Sequence, residues 1–273
     1  MRALAMLGTG PWRGVAAVIV LAGALLALRP WSLRWGATRD ELARQWPGDE
    51  LTPRSAGQST RAITIHASAP EVWAWIVQIG QDRGGFYSYT WLENLFGCKM
   101  HNADRVVPEF QSRSVGDTVW LTPKERYGGR GRTIVAELIP DRAMIMVSPD
   151  DAEIASRNGQ ASNGTWGLVL DPIDAHTTRL IVCTRGGESH GLGGKLFAWL
   201  VFDPAHFIME RKMMLGIKQR AEREARRDET ERVEGRRFKV EKSRPKVLRL
   251  ISSTFDIRPS TVRLFEKRSH GFD

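Results

Sequence analysis

Cysteine is nearly absent from this 273-residue chain: it has only Cys98 and Cys183, with no CxxC pair and no histidine pair beside either. That excludes a disulfide scaffold and a zinc knuckle by spacing, and two unpaired thiols are the simplest reading. A single disulfide stays open if the domain faces an oxidising compartment. Tyrosine is scarce too, three residues against ten tryptophans. Phosphate-loop glycines are missing: Gly193-Gly194-Lys195 lacks the earlier glycine and has Leu196 where a hydroxyl would meet magnesium. No metal, nucleotide or other cofactor is expected. Only one long apolar run occurs, so a multi-span membrane protein is excluded as well.

Acidic residues fall short of basic ones, 31 against 40, for a net charge of +9. The excess is uneven, because Glu222 to Asp273 holds 15 Lys and Arg against 10 Asp and Glu. The pI of about 10.0 is therefore largely a property of the tail. It gives no reason to expect nucleic-acid binding by the body of the protein.

The apolar run is Val15 to Leu28, 14 residues, and extends to 20 between Trp12 and Trp31. Arg13 and Arg29 stand near its ends, where their stems can snorkel, and Trp12, Trp31 and Trp35 are placed like an interfacial belt. It reads as an uncleaved single anchor over 12–31 after a short 1–11 segment. An Ala22-Gly23-Ala24 tripeptide of the cleavage type lies inside the run, not after it. Arg29, Arg34, Arg39 and Arg44 follow the run against Arg2 and Arg13 before it, which places the globular part on the cytoplasmic side.

Residues 32–59 are polar and aperiodic and read as a juxtamembrane linker. A domain over 60–222 follows. Thr60 to Ala67 alternates like a strand, and Ser68 with Glu71 has capping-box spacing ahead of a helix whose Val72, Trp75, Ile76 and Ile79 share a face. A second short helix fits Tyr87 to Phe96. Five β-type runs come next, at 117–122, 132–139, 143–148, 165–170 and 178–185, separated by short turn signals that imply antiparallel pairing. A helical segment from about Gly194 to Arg227, kinked at Asp203-Pro204, closes the domain. The tail over 223–273 mixes both charges and reads as a solvated helix extension grading into disorder. The class is α+β: a curved antiparallel sheet wrapped around a long C-terminal helix, with two short helices after the first strand and a transmembrane helix at the N-terminus.

The stretch TRAITIHASAPEVWAWIVQIGQDRGGFYSYTWLENLFG, with HNADRVVPEF and FDPAHFIMERKMMLGIKQRAE, resembles the START-related helix-grip superfamily (SRPBCC), in its membrane-associated actinobacterial type. The resemblance runs from about Trp35 to Glu222 and implies a grip fold around a largely apolar cavity. Members range from lipid carriers to polyketide cyclase/dehydrase-like enzymes, so it implies no single reaction.

Ligand-lining candidates are Trp75, Tyr87, Tyr89, Trp91, Trp120 and Trp166, large flat surfaces with polar handles, together with Met213, Met214 and Ile217 on the closing helix. Asn94, His101, Asn102 and Arg105 are polar ligand-binding candidates, the last three on a loop that would serve if it closes over the cavity mouth. Catalytic candidates are His101, Tyr87 and Asp104: Asp104 would orient His101 for proton transfer, and Arg105 would hold an anionic headgroup. All of these residues also have an ordinary reading as core or loop pins. Gly187-Glu188-Ser189-His190-Gly191 matches GxSxG, but a nucleophile elbow belongs in a parallel sheet. The expected partners are a hydrophobic small molecule or lipid and the membrane. The leading expectation is binding or transport of such a ligand, and the alternative is a cyclase/dehydrase- or isomerase-like enzyme.

Overall fold

The structure, a computed structural model, describes residues 12–52, 57–152, 164–186 and 191–242. The Ser189 motif and the tail beyond Lys242 lie outside them. Two compact units divide the chain, Met1–Arg226 and Arg227–Asp273.

Helix α1 spans Trp12–Ser32, and α2 is a single turn at Arg39–Ala43. Strand β1, Gly57–Ile65, leads into α3, Ala69–Val77, where the Glu71 carboxylate accepts from the Ser68 N–H and Oγ at 2.7 and 2.6 Å. That is the expected capping box, formed at the expected place. Helix α4, Thr90–Leu95, precedes β2 (Thr118–Trp120), β3 (Arg132–Ile139), β4 (Ala143–Val147), β5 (Gly164–Asp174) and β6 (Thr177–Gly186). Helix α5, Gly191–Phe197, passes through a π turn at Ala198–Phe202 into α6, Asp203–Lys242. The expected kink is this π turn. The Pro204 ring would collide with the Leu200 carbonyl four residues back, so the turn widens just before the proline.

All six strands pair antiparallel in the order β1-β6-β5-β4-β3-β2. With two helices between β1 and β2 and α6 packed against the sheet, this is a helix-grip architecture. The inner layer buries Ile65, Met144, Met146, Leu168, Leu170, Leu180 and Val182 against Trp75, Ile76, Met213, Met214 and Ile217. Close approach at one point requires glycine, because a Cβ on Gly216 of α6 would stand 2.3 Å from the Tyr87 carbonyl oxygen.

The outer face of the sheet is covered as well. Trp46, with Ala37 and Leu51 beside it, packs on Ala62, Ala143, Ile145, Val169, Ile181 and Cys183. Residues 32–52, expected as a linker, are therefore folded onto the domain. Thr60 and Ala62 on the β1 edge donate to the Leu33 and Trp35 carbonyls at 2.9 and 3.0 Å. Arg179 grips the Glu41 carboxylate through two nitrogens, 2.7 and 2.8 Å, and Arg185 grips Asp49. Double-sided cover explains why β4 is buried at every position and reads as the unbroken apolar run AMIMV.

Gly14–Ser32 is long and apolar enough to cross a membrane, and none of its apolar window is buried. In the second unit α6 continues as helix to Lys242, with an Arg227–Glu231 ion pair on its surface. The start of the expected charged tail is thus helical.

Candidate functional site

The sheet and α6 hold between them an interior that is aromatic and rich in methionine. Five of the chain's eight methionines, Met100, Met144, Met146, Met213 and Met214, lie in one core with Trp75, Phe86 and Tyr87. Unbranched thioether side chains repack at low cost, which suits a wall that must adapt to an occupant. Trp75 is 1% exposed and meets the Tyr87 ring edge-on at 5.7 Å. Its indole N–H is buried with no acceptor among the described residues. An unpaired buried donor costs about 1–3 kcal/mol, and a polar atom brought in by a ligand would recover that.

Tyr87 sits at a strained φ of 57°, held there because its N–H donates to Asn102 Oδ1 at 2.7 Å. Its hydroxyl donates to the Trp75 carbonyl at 3.0 Å and accepts from Gln78 Nε2 at 2.9 Å. Burial drives the phenol well above its ordinary range, opposed by the Gln78 bond and by the Arg220 guanidinium 4.8 Å over the ring. Tyr87 is thus a buried, neutral, hydrogen-bonded pin. Asn102 completes the lock by donating to the Ser88 carbonyl at 3.1 Å.

The other polar candidates lie toward solvent. Asn94 is exposed and pins the following loop, donating to the Met100 carbonyl and accepting from its N–H. His101 and Arg105 are exposed, and no hydrogen bond joins His101 to Asp104 among the described residues. The Asp104 carboxylate instead faces Arg220 at 3.7 Å. Trp91 is 67% exposed and touches Tyr89 edge-on, while Lys212 stands over the Tyr89 ring. Trp120 lies at the far edge of the sheet beneath Lys124 and Arg132. Geometry therefore gathers Trp75, Tyr87, Met213, Met214 and Ile217 into the interior. It sets His101, Arg105, Asp104 and Trp91 outside.

Trp166, a candidate from the sequence, belongs to a polar constellation with Glu210 and Arg61 that no local pattern signalled. Its ring stacks on Phe86 at 6.0 Å and its Nε1 donates to Glu210 at 3.2 Å. Glu210 pairs with Arg61, and the Arg61 Nε donates to the Ser32 carbonyl at the end of α1. The same end of α1 is held by Arg29, whose Nε meets Asp203 at 2.7 Å, and by Trp31 and Trp35, edge-on to Phe207 at 5.4 and 6.2 Å. The end of the apolar helix thus contacts the domain at the start of α6.

Neither cysteine is paired; burial pushes the Cys183 thiol up to about 12. Glu93 on α4 has one carboxylate oxygen buried without a partner among the described residues, and desolvation raises its pKa to about 7.

No family model and no curated protein matches this chain. Solved structures do. A polyketide cyclase-like protein of Corynebacterium glutamicum is 21% identical, spanning 66% of this chain and 95% of its own, with a TM-score of 0.29. A structural-genomics protein of Nitrosospira multiformis is 17% identical over 62% of this chain and 99% of its own, TM-score 0.36. The Aha1 protein of Colwellia psychrerythraea is 14% identical over 61% and 96%, TM-score 0.34. Likenesses this distant carry no argument about function, so the grip architecture rests on the chain's own strand order and its closing helix.

Proposed function

We propose that this protein is a membrane-tethered, SRPBCC-like binding or transfer module that takes a hydrophobic small molecule or lipid between its sheet and α6. The observation that carries this reading is the orphan indole N–H of Trp75 inside a methionine-rich interior. Such a wall accepts apolar bulk, and this open donor would orient a carbonyl or hydroxyl on it. The apolar α1, joined to the start of α6, would keep the module at the bilayer where such ligands dissolve. Arg34, Arg39 and Arg44 on the domain side of α1 favour a cytoplasmic domain.

Native mass spectrometry of the full chain released from lipid nanodiscs tests the reading. An apolar adduct is expected on the parent chain and on Val115→Trp, an exposed position, and is expected to be lost in Met146→Trp, which fills the interior. An adduct that survives Met146→Trp, or none on any form, overturns it. No specific observation favours the enzyme alternative, since the Tyr87 proton is given to a backbone carbonyl and His101 lies outside.

A further inference from the structure

The stretch Gly191–Phe202 has one charge, Lys195, yet its side chains are not buried. Leu192, Leu196, Phe197, Trp199, Val201 and Phe202 are between 37% and 75% exposed. Fully burying one such side chain is worth about 1.5–3 kcal/mol, and each of these half-exposed residues forgoes part of that, so the cluster favours a cover. What covers it can be read from its neighbour. The π turn packs directly against α1, and the Trp199 ring lies 5.3 Å from the Arg29 guanidinium. Beside α1 runs a largely apolar notch of about 190 Å³, walled by Leu25, Leu28 and Trp31 from α1, by Trp199 from the π turn and by Phe207 and Ile208 from the start of α6. The exposed surface of α1 therefore adjoins that of Gly191–Phe202 at this notch, with the Arg29–Asp203 ion pair between them.

Length distinguishes the two. At about 1.5 Å per residue, a segment this short falls well below the ~20 residues that cross a bilayer, and it suits an element lying along the interface. Lys195 can snorkel to the headgroups, and Trp199 is the residue type found at that depth. Asp203, the next charge, is paired with Arg29 and so enters the interface neutralised.

We propose that Gly191–Phe202 is a second membrane element: it lies in the lipid interface beside the exit of α1, so that the domain meets the bilayer through two joined surfaces in a set orientation. This rests on α1 being the anchor, as proposed above. The start of α6 is then held against the lipid surface.

Depth-dependent quenching tests it on the full chain in liposomes of phosphatidylcholine and phosphatidylglycerol. In a Cys98→Ser background, with Cys183 buried, single cysteines at Val20, Leu192, Val201 and Val115 carry an environment-sensitive fluorophore. Loss of emission is expected at Val20, Leu192 and Val201 with lipid-borne nitroxides, at Leu192 and Val201 most strongly with the nitroxide near the headgroup, and not at Val115. If Val20 is quenched while Leu192 and Val201 stay as bright as Val115, the proposal is overturned and the anchor stands. If Val20 itself is not quenched, the anchor reading fails and the proposal with it. Protection of Leu192 and Val201 from both lipid and aqueous quenchers would put a second copy of the chain on this face, and that too overturns it.

Discussion

Arg61 on β1 and Glu210 on α6, 149 residues apart, form an ion pair in which each side chain is 1% exposed. Two charges taken out of water are tolerated only when every remaining polar valence is met. Here Ser32 accepts from Arg61 Nε and Trp166 donates to the other Glu210 oxygen. The pair thus ties the first strand, the closing helix and the end of α1 together at one point.

Removing one partner leaves the other as a buried, unpaired charge. Arg61→Met or Glu210→Leu alone is expected to cost about 3–5 kcal/mol, and the double variant to recover most of it. Unfolding by denaturant in detergent micelles, run as a double-mutant cycle, checks this. Equal losses in the double and single variants would contradict it.

Glu93 gives the fold a pH dependence. Burial raises its pKa to about 7 from the ordinary 4.5, so the folded state holds this proton more tightly than the unfolded chain. Stability from this group is complete below pH 4.5 and is lost as pH rises through about 7. Glu93→Gln, neutral at every pH, is expected to flatten the thermal midpoint across that window. An unchanged pH profile in the variant would refute the assignment.

Tyr87 should behave as a structural phenol. Tyr87→Phe strands the Trp75 carbonyl and one Gln78 donor, at a cost of about 1–3 kcal/mol. Because the phenol is held above its usual value of about 10, the variant should lose none of the tyrosinate absorbance that the parent develops in a scan to pH 11. A drop in that absorbance would show that Tyr87 ionises.

Gly216→Ala should be destabilising even though alanine favours helix by about 1 kcal/mol. Its Cβ would meet the Tyr87 backbone at 2.3 Å, and Tyr87 cannot move without breaking its bond to Asn102. Overpacking of this kind costs about 1–3 kcal/mol. Gly193→Ala, with open space around it, is the control and should be neutral or stabilising in the same thermal scan.

Much of the architecture was legible from local pattern. The Ser68/Glu71 cap and the alternation after Thr60 each act within a few residues, and α3 and β1 stand where those signals put them, whereas β5 runs through Asp171-Pro172, four residues past its expected end, before the chain turns at 175–176. Residues 32–52 defeated the same reading, since what folds them is one tryptophan and ion pairs to strands more than a hundred residues away. The candidate site divides in the same way. Trp75, Met213 and Met214 are inside because their helices are amphipathic. His101 and Asp104, neighbours in sequence, do not meet, because Asn102 turns inward to hold Tyr87 and the residues beside it turn out.

By itself, then, the sequence determined the order of elements, the antiparallel class and the single apolar helix, because periodicity, capping and run length are set by adjacent residues. Tertiary structure alone decided that Arg61 meets Glu210, that the Trp75 donor goes unpaired and that Gly191–Phe202 lies open beside α1. These are contacts between distant segments, and a buried charge, an orphan donor or an exposed apolar face has meaning only in the surroundings that the whole fold builds.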